Sequence, residues 1–135
     1  MITAVDTNIL LDVLLPDPVF GETSLDKMRL ASREGAVVIC EIVYAEAAGF
    51  FQRQSALDHF LRETGIHPTP STSETLWKAG ELWRHFRLER PNARAAARRL
   101  LADFLIGAHA LLQAERLLTR DQRFYRSLFS GLRLL

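Results

Sequence analysis

The sequence Ile2-Thr3-Ala4-Val5-Asp6-Thr7-Asn8 decides the fold, because its short apolar run predicts a buried strand that ends at a carboxylate. A second apolar run over residues 9–15 stops at two prolines and predicts a turn followed by a short helix. The β-branched run Ala36–Cys40 predicts another buried strand. Leu117-Leu118-Thr119 predicts a further short strand, which leads to Asp121. The chain therefore places one acid at the end of its first strand and another just after a later strand.

Apolar residues at helical spacing fill the segments between these strands. The longest predicted helix runs towards Arg90, and Ser71 and Glu74 stand at capping-box spacing ahead of it. The segment Asn92–Arg99 is rich in alanine and arginine and is compatible with either a helix or a basic loop. The other predicted elements are helices over residues 22–33, 41–54, 55–64 and 101–112, a short strand within residues 65–68 and an edge strand over residues 132–135.

Short strands that alternate with helices predict an α/β fold, in which helices cover both faces of a short parallel sheet. A length of 135 residues and a hydrophobic content of 48% suit one domain spanning residues 1–135. Parallel sheets of this kind bind ligands beyond the carboxyl ends of their strands. Asp6 and Asp121 are therefore expected to be neighbours in space.

The composition indicates a protein of the cytoplasm with no membrane association. No apolar run approaches the roughly 20 residues that a membrane span needs, and no secretion signal is recognisable at the N-terminus. Cys40 is the single cysteine, which suits a reducing compartment. The net charge is only +1, but the 17 basic residues comprise fifteen arginines and two lysines. Arginine pairs with phosphate through its planar guanidinium, so this excess is a weak indication of nucleic-acid binding.

Four acidic residues interrupt apolar patterns, where carboxylates are rare unless they are paired. Asp6, Asp103 and Asp121 could each cap a helix or complement a helix dipole. Glu46 is harder to explain in this way, because its predicted helical neighbours are Ile42, Val43, Gly49 and Phe50. Carboxylates that converge repel one another, and a hard cation such as Mg²⁺ or Mn²⁺ relieves this repulsion. The four acids together therefore predict a metal site, and a purely oxygen donor set argues against zinc.

Four ordered sequence blocks resemble those of the PIN-domain ribonucleases, and most closely those of the VapC toxins of bacterial and archaeal toxin–antitoxin pairs. The resemblance covers essentially the whole chain in order and spacing. The blocks are Asp6-Thr7-Asn8-Ile9-Leu10-Leu11-Asp12, Val43-Tyr44-Ala45-Glu46, the run from Asp103 to Ala110, and Leu117-Leu118-Thr119-Arg120-Asp121. A lone Asp-x-Asn would be weak support for the family, whereas four ordered blocks are strong support.

The resemblance implies a three-layer α/β/α sandwich, commonly dimeric, that hydrolyses RNA with the help of Mg²⁺ or Mn²⁺. The acids that it assigns to metal binding and catalysis are Asp6, Glu46, Asp103 and Asp121. The polar residues that would support these ligands or hold water are Thr7, Asn8 and Thr119. The resemblance also implies a VapB-type antitoxin protein that blocks the site.

Two further acids and one substitution bear on this assignment. Asp12 belongs to the first block, but a capping or surface role is expected for it. Glu41 lies close to Glu46 in sequence, and we prefer Glu46 for its apolar neighbours and its position in the block. The family often has a proline just before the third acidic block, where this chain has Ala102, but the carboxylate itself is retained.

A basic stretch precedes the third acidic block. It contains Arg84, Arg87, Arg90, Arg94, Arg98 and Arg99, against the single acid Glu89. Such a stretch is commonly a solvated face or an interface with acidic groups of a partner. It can also hold RNA phosphates near the metals, through a salt-sensitive contact that is largely independent of base sequence. RNA and an antitoxin are therefore both candidate partners of this surface.

Other functions fit the sequence less well. A haloacid-dehalogenase-like phosphatase needs Asp-x-Asp after its first strand, and Asn8 removes the second aspartate. A Rossmann nucleotide-binding domain needs a glycine-rich turn at the same place, which this sequence does not have. No serine, cysteine or histidine constellation supports covalent catalysis. The remaining alternative is a catalytically weak or inactive PIN-like RNA-binding module.

Overall fold

The computed structural model describes residues 1–90, 92 and 100–135, and a parallel four-stranded sheet lies at the centre of these residues. The strands are β1 (Ile2–Val5), β2 (Ala36–Ile39), β3 (Ile66–Pro68) and β4 (Arg116–Leu118). Their order across the sheet is β3-β2-β1-β4, and every pairing is parallel. The predicted α/β fold is confirmed.

Helices cover both faces of the sheet, which makes the molecule a three-layer sandwich. Within the described residues they are α1 (Thr7–Leu14), α2 (Gly21–Glu34), α3 (Glu41–Ala48), α4 (Gln54–Thr64), α5 (Ser73–Glu89), α6 (Leu101–Gln113) and α7 (Gln122–Leu128). Helix α1 packs against α2, and α5 lies along α6. In this part of the chain, no helix combines the length and the apolarity that crossing a membrane would require.

Strand β1 lies where the strand order of the sheet reverses. The chain runs outward from β1 through β2 to β3 and then returns to place β4 on the other side of β1. Ala4 pairs with Val38 on one side and with Leu117 on the other, and all three residues are buried. Open parallel sheets bind ligands in the crevice outside such a reversal. The expected binding site therefore lies at the carboxyl ends of β1 and β4.

Helix α3 is shorter than the sequence predicts. The helix expected over residues 41–54 ends at Ala48. The chain leaves α3 through tight turns, in which backbone N–H groups bond to carbonyls three residues earlier. This exit allows Phe51 to pack against Phe60 of α4, with ring centroids 6.0 Å apart. Tertiary packing thus outweighs the apolar pattern that suggested one continuous helix.

The start of helix α5 also differs from the prediction. Thr72, rather than Ser71, is the N-cap residue, and its hydroxyl oxygen accepts a hydrogen bond from the Thr75 N–H at 3.2 Å. Ser71 instead donates its backbone N–H and its hydroxyl to the carboxylate of Glu41, at 3.0 and 2.8 Å. The predicted capping box of Ser71 and Glu74 was therefore wrong, because Ser71 links α5 to the start of α3.

The edge strand predicted over residues 132–135 reduces to a single parallel bridge between Leu134 and Leu117. The Leu117 N–H donates to the carbonyl of Arg133, and the Leu117 carbonyl accepts from the Leu135 N–H, both at 2.9 Å. These two hydrogen bonds cover the outer edge of β4 without forming a regular strand.

Phe104 of α6 is the centre of an aromatic cluster in the core. Its ring centroid lies 5.6 Å from that of Phe86, 6.0 Å from that of Phe124 and 5.8 Å from that of Phe129. A Cβ atom added to Gly107, one turn further along α6, would stand only 2.3 Å from Cζ of Phe129. Phe129 is buried, so its ring cannot simply move into solvent. Gly107 is therefore the residue that allows α6 to approach this ring.

We expect Gly107→Ala to lower the free energy of unfolding by about 1–3 kcal/mol, because the added methyl group overpacks the Phe129 ring. The measurement is urea denaturation. Gly80→Ala is the matched control, since Gly80 lies inside helix α5 with no atom within 4 Å of an added Cβ. The control should raise the free energy of unfolding by about 0.5–1 kcal/mol. Equal stability of the two variants would contradict the packing argument.

Candidate active site

The four predicted acids meet at the carboxyl ends of β1 and β4. Asp6 directly follows β1, Glu46 belongs to α3, Asp103 lies in the first turn of α6 and Asp121 precedes α7. Partial burial and the negative charges of the other three acids raise the pKa of Asp103 to about 6. Because all three charges act on Asp103, the four carboxylates share one electrostatic environment.

Asp6 is the innermost acid, with 5% of its surface exposed. Its Oδ1 accepts a hydrogen bond from the Thr7 N–H at 2.7 Å. Its Oδ2 accepts from the Thr119 hydroxyl at 2.7 Å and from the Asn8 amide at 3.3 Å. Burial raises the pKa of Asp6, the hydrogen bonds from Thr119 and Thr7 oppose that shift, and the charge of Glu46 adds to it. Asp6 is thus a buried carboxylate held in place by three donors.

The three predicted supporting residues connect the acids to one another. The Thr7 hydroxyl donates to Oε1 of Glu46 at 2.8 Å, while the Thr7 backbone binds Asp6. The Thr119 hydroxyl oxygen accepts from the Asp121 N–H at 3.0 Å. The side-chain Oδ1 of Asn8 accepts a hydrogen bond from the backbone N–H of Arg120, the residue before Asp121, at 3.3 Å. The structure therefore brings Thr7, Asn8 and Thr119 into contact with the acids.

The capping alternative explains little of this arrangement. Asp6 does accept the first N–H of α1, but two further donors also bind its carboxylate. Asp121 occupies the N-cap position of α7 without making a side-chain capping hydrogen bond. Asp103 lies inside the first turn of α6, where Leu100 is the N-cap residue. Helix capping is thus at most one part of the role of Asp6.

The surroundings of Glu46 differ from those that selected it. The sequence predicts apolar helical neighbours on both sides, but α3 ends at Ala48, so Gly49 and Phe50 lie beyond the helix. Glu46 is exposed, and its position depends on the hydroxyl of Thr7. The prediction of an apolar environment for Glu46 was wrong, although its carboxylate does reach the other acids.

Asp12 and Glu41 do not belong to the carboxylate cluster. Asp12 is buried and accepts hydrogen bonds from Nε and Nη2 of Arg120, at 2.7 and 3.0 Å, and from the hydroxyl of Ser24 at 2.7 Å. The capping or surface role predicted for Asp12 was wrong, because its buried carboxylate pairs with Arg120, a residue distant in sequence. The carboxylate of Glu41 instead accepts two hydrogen bonds from Ser71.

Tyr125 is a site residue that the sequence did not suggest. Its side chain is 1% exposed, and its hydroxyl has no partner with hydrogen-bond geometry among the described residues. Burial and the charges of Asp6, Asp103 and Asp121 all raise the pKa of Tyr125, so its hydroxyl stays protonated beside the acids. Its position one helical turn after Asp121 is the sequence feature that could have indicated a place near the acids. Helix α7 thus places a neutral O–H group beside the carboxylate cluster.

The predicted arginine surface is described only in part. Arg84, Arg87 and Arg90 are exposed, whereas Arg94, Arg98 and Arg99 lie outside the described residues. The guanidinium of Arg87 lies 4.1 Å from the ring centroid of Trp83, and that of Arg90 lies 4.5 Å from the ring centroid of Phe86. Aromatic rings of α5 therefore fix the two guanidinium groups on the outer surface of the helix.

The four acids offer carboxylate oxygens as metal ligands, and hard cations such as Mg²⁺ prefer oxygen ligands. Across residues 1–90, 92 and 100–135, no three acidic, histidine or cysteine side chains converge closely enough to bind one ion together. The acids are therefore close enough to repel one another but not arranged as a closed coordination shell.

Comparison with known proteins places the chain in one family. The chain matches the family model described as PIN domain over residues 3–127. A chain of the VapBC2 complex of Rickettsia felis, solved with a promoter DNA fragment, is 23% identical with a TM-score of 0.71. The alignment covers 100% of this chain and 98% of that chain. A chain of VapBC-1 from nontypeable Haemophilus influenzae is 20% identical with a TM-score of 0.65, and the coverage is 100% and 97%. No curated protein sequence gives a match.

We expect Asp103→Asn to stabilise the metal-free protein at neutral pH. The pKa of Asp103 rises from 3.8 to about 6 on folding, so the folded state loses stability as the pH increases through this interval. Asparagine cannot ionise and avoids that loss. In EDTA, the melting temperature of Asp103→Asn should therefore exceed that of the wild type at pH 7.5, and the difference should shrink at pH 4.

Asp26→Asn is the control for this experiment, because Asp26 is exposed on α2 and pairs with the likewise exposed Arg29. Its melting temperature should follow that of the wild type at both pH values. A gain from Asp103→Asn that is equally large at pH 4 would show that ionisation of the partly buried Asp103 beside the other acids is not the cause.

Proposed function

Because the chain belongs to the PIN domain family, we propose that it is a Mg²⁺- or Mn²⁺-dependent endoribonuclease that hydrolyses RNA phosphodiester bonds. The observation that carries this proposal is the meeting of four carboxylates, where burial and the charges of the other three acids raise the pKa of Asp103. Acids with perturbed pKa values at the mouth of a crevice are typical of catalytic sites. The proposed catalytic residues are Asp6, Glu46, Asp103 and Asp121.

A hard divalent cation fits the donors that are present. Mg²⁺ is commonly bound through only one or two carboxylates and keeps several of its waters. This mode of binding suits a site in which no three described side chains converge on one point. We assign direct binding to Asp6 and Asp121, which follow the adjacent strands β1 and β4. Glu46 and Asp103 would complete the site directly or through water.

The hydrogen bonds of the site hold the acids in position before a ligand arrives. Among the described residues, the Thr7 N–H is the backbone donor to Oδ1 of Asp6, and this oxygen keeps a lone pair for a cation. The Thr7 hydroxyl binds one oxygen of Glu46 and leaves the other free. Such supporting contacts typically change metal affinity or activity about 10- to 100-fold when they are removed. Thr7 is thus the residue that orients two acids at once.

Phosphodiester hydrolysis requires an activated water, charge relief at the phosphoryl oxygens and stabilisation of the leaving alkoxide. A divalent cation, when bound, supplies these three requirements. The side chains then orient the reactants. Asp6 is buried at the inner end of the site, whereas Glu46 and Asp121 are exposed at its mouth. The scissile phosphate therefore approaches from the side of the two exposed acids.

We further propose that the chain is the toxin of a VapBC-type pair, with a VapB-type antitoxin as its partner and a homodimer as its working form. The support for the toxin and antitoxin roles is that the two solved structures compared above are VapBC complexes. The exposed Arg84, Arg87 and Arg90 offer a surface for acidic groups of the antitoxin or for RNA phosphates.

We expect the purified protein to cleave single-stranded RNA when Mg²⁺ or Mn²⁺ is present and to stop when EDTA is added. Gel electrophoresis of an end-labelled RNA measures the cleavage. Cleavage that survives chelation would contradict the role of the cation. RNA binding without cleavage in either ion would favour the inactive RNA-binding module instead.

Asp6→Asn tests the site itself, and it should lower the cleavage rate at least about 100-fold. The amide oxygen of asparagine can still accept the Thr7 N–H, and its NH2 group can donate to the Thr119 hydroxyl oxygen, so the fold should be preserved. Asp26→Asn is again the matched control and should cleave at the wild-type rate. Equal rates for the two variants would remove Asp6 from the catalytic site.

The toxin role predicts that expression of the wild-type chain stops bacterial growth, because RNA cleavage is the proposed cause of toxicity. Asp6→Asn should permit normal growth at the same protein level, as measured by immunoblot. Normal growth with soluble, RNA-cleaving wild-type protein would contradict the toxin role and leave the ribonuclease proposal intact.

A further inference from the structure

A pocket of about 280 Å³ lies beside the carboxylate cluster, between helices α1 and α2 and the segment that follows β4. Its polar and aromatic lining residues include Phe20, Thr23, Lys27, Thr119, Arg120 and Gln122. The hydroxyl of Thr119 donates to Asp6, so this pocket begins where the carboxylate site ends. Thr119 is thus shared by the wall of this pocket and the carboxylate site, which makes the two sites neighbours.

Arg120 is fixed rigidly in the wall of this pocket. Its Nε and Nη2 atoms bind the buried carboxylate of Asp12, and its backbone N–H binds Asn8. These contacts leave Nη1 without a hydrogen bond among the residues that the structure describes. Asp12 neutralises the guanidinium, so Arg120 contributes an oriented donor and a flat surface more than a net charge.

Lys27 supplies the uncompensated positive charge of the pocket. No carboxylate lies within ion-pair distance of its ammonium group in the described part of the chain. Its neighbour Asp26 pairs with Arg29 instead. The other lysine, Lys78, is bound to Glu81 at 3.1 Å on helix α5. Lys27 is therefore available to an anion, whereas Lys78 is already paired.

Phe20 presents an aromatic ring at the edge of the pocket, and 42% of its surface is exposed. The carboxylate of Asp17 accepts the backbone N–H groups of Val19 and Phe20, each at 2.8 Å, which fixes the loop ahead of α2. The guanidinium of Arg120 lies 4.1 Å from the centroid of the ring. Phe20 is thus an exposed ring on an ordered loop, held against a planar cation.

We propose that this pocket binds the RNA nucleotide next to the cleaved phosphate. Lys27 contacts the phosphate of that nucleotide, Nη1 of Arg120 and the hydroxyl of Thr23 donate to its oxygens, and Phe20 stacks on its base. An acidic peptide would contact the ammonium group of Lys27 but not the ring of Phe20. A single-stranded nucleotide contacts Lys27 through its phosphate and Phe20 through its base. The inference rests on the proposed ribonuclease function, because RNA is the ligand that reaches the adjoining acids.

RNA binding without cleavage tests the pocket. The Asp6→Asn protein in EDTA is titrated into a fluorescent single-stranded RNA octamer, and anisotropy gives Kd at several salt concentrations. Lys27→Ala should raise Kd and reduce the slope of log K against log salt by about 0.7, the value for one phosphate contact. Phe20→Ala should raise Kd by about 5-fold or more, because it removes a stacked base. Lys78→Ala is the matched control and should change neither value.

Wild-type protein in EDTA provides a second background for the same titrations, so that a folding defect of Asp6→Asn cannot decide the result. The proposal is overturned if Lys27→Ala and Phe20→Ala bind the octamer like Lys78→Ala. It is also overturned if a hexaglutamate peptide, but not RNA, depends on Lys27, since the pocket would then bind a protein.

The cleavage assay distinguishes failure of the pocket from failure of the proposed function. Wild-type protein that cuts RNA in Mn²⁺, with binding that is indifferent to Lys27 and Phe20, would overturn the pocket alone. Binding that depends on Lys27 and Phe20, without cleavage in either cation, would overturn the ribonuclease function and leave the nucleotide pocket standing.

Discussion

The hydrogen bond from the Thr119 hydroxyl to Oδ2 of Asp6, at 2.7 Å, is the contact on which the rest of the site depends. It joins the carboxyl ends of β1 and β4, which the backbone pairing of Asp6 with Leu118 has already brought into register. Burial disfavours the charge of Asp6, and the donors from Thr119 and Thr7 offset part of that cost. Without these donors a buried carboxylate could persist only by taking up a proton, and Asp103 would then face one negative charge fewer.

The sequence was sufficient to predict the sheet and the approximate location of the site, because both depend on local patterns and one topological rule. Short apolar runs determine where β1 and β4 lie, and the carboxyl-end rule places Asp6 near Asp121 without knowledge of any contact. The limits of helices were harder to predict. The exit from α3 depends on packing between Phe51 and Phe60, which no local pattern contains.

The chemical surroundings of individual side chains could not be predicted, because they are determined by residues far away in the chain. Asp12 has the sequence context of a surface or capping residue, yet it is buried and pairs with Arg120, 108 positions later. Tyr125 resembles an ordinary core aromatic until the fold places its hydroxyl beside the acids. Glu46 was selected for apolar neighbours on both sides, but its helix ends before Gly49 and Phe50, and the hydroxyl of Thr7 holds its exposed carboxylate at the site.

Assembly of the site from residues far apart in the sequence has a consequence for synthesis. Asp6 and Thr119 are 113 positions apart, and β4 is the last strand to enter the sheet. A ribosome-bound chain that has not yet exposed residue 121 lacks both Thr119 and Asp121, so it cannot assemble the carboxylate cluster, whatever else has folded. Closure of so long a loop also carries an entropy cost that only nearly complete packing repays. The carboxylate cluster therefore forms only after residue 121 has been synthesised.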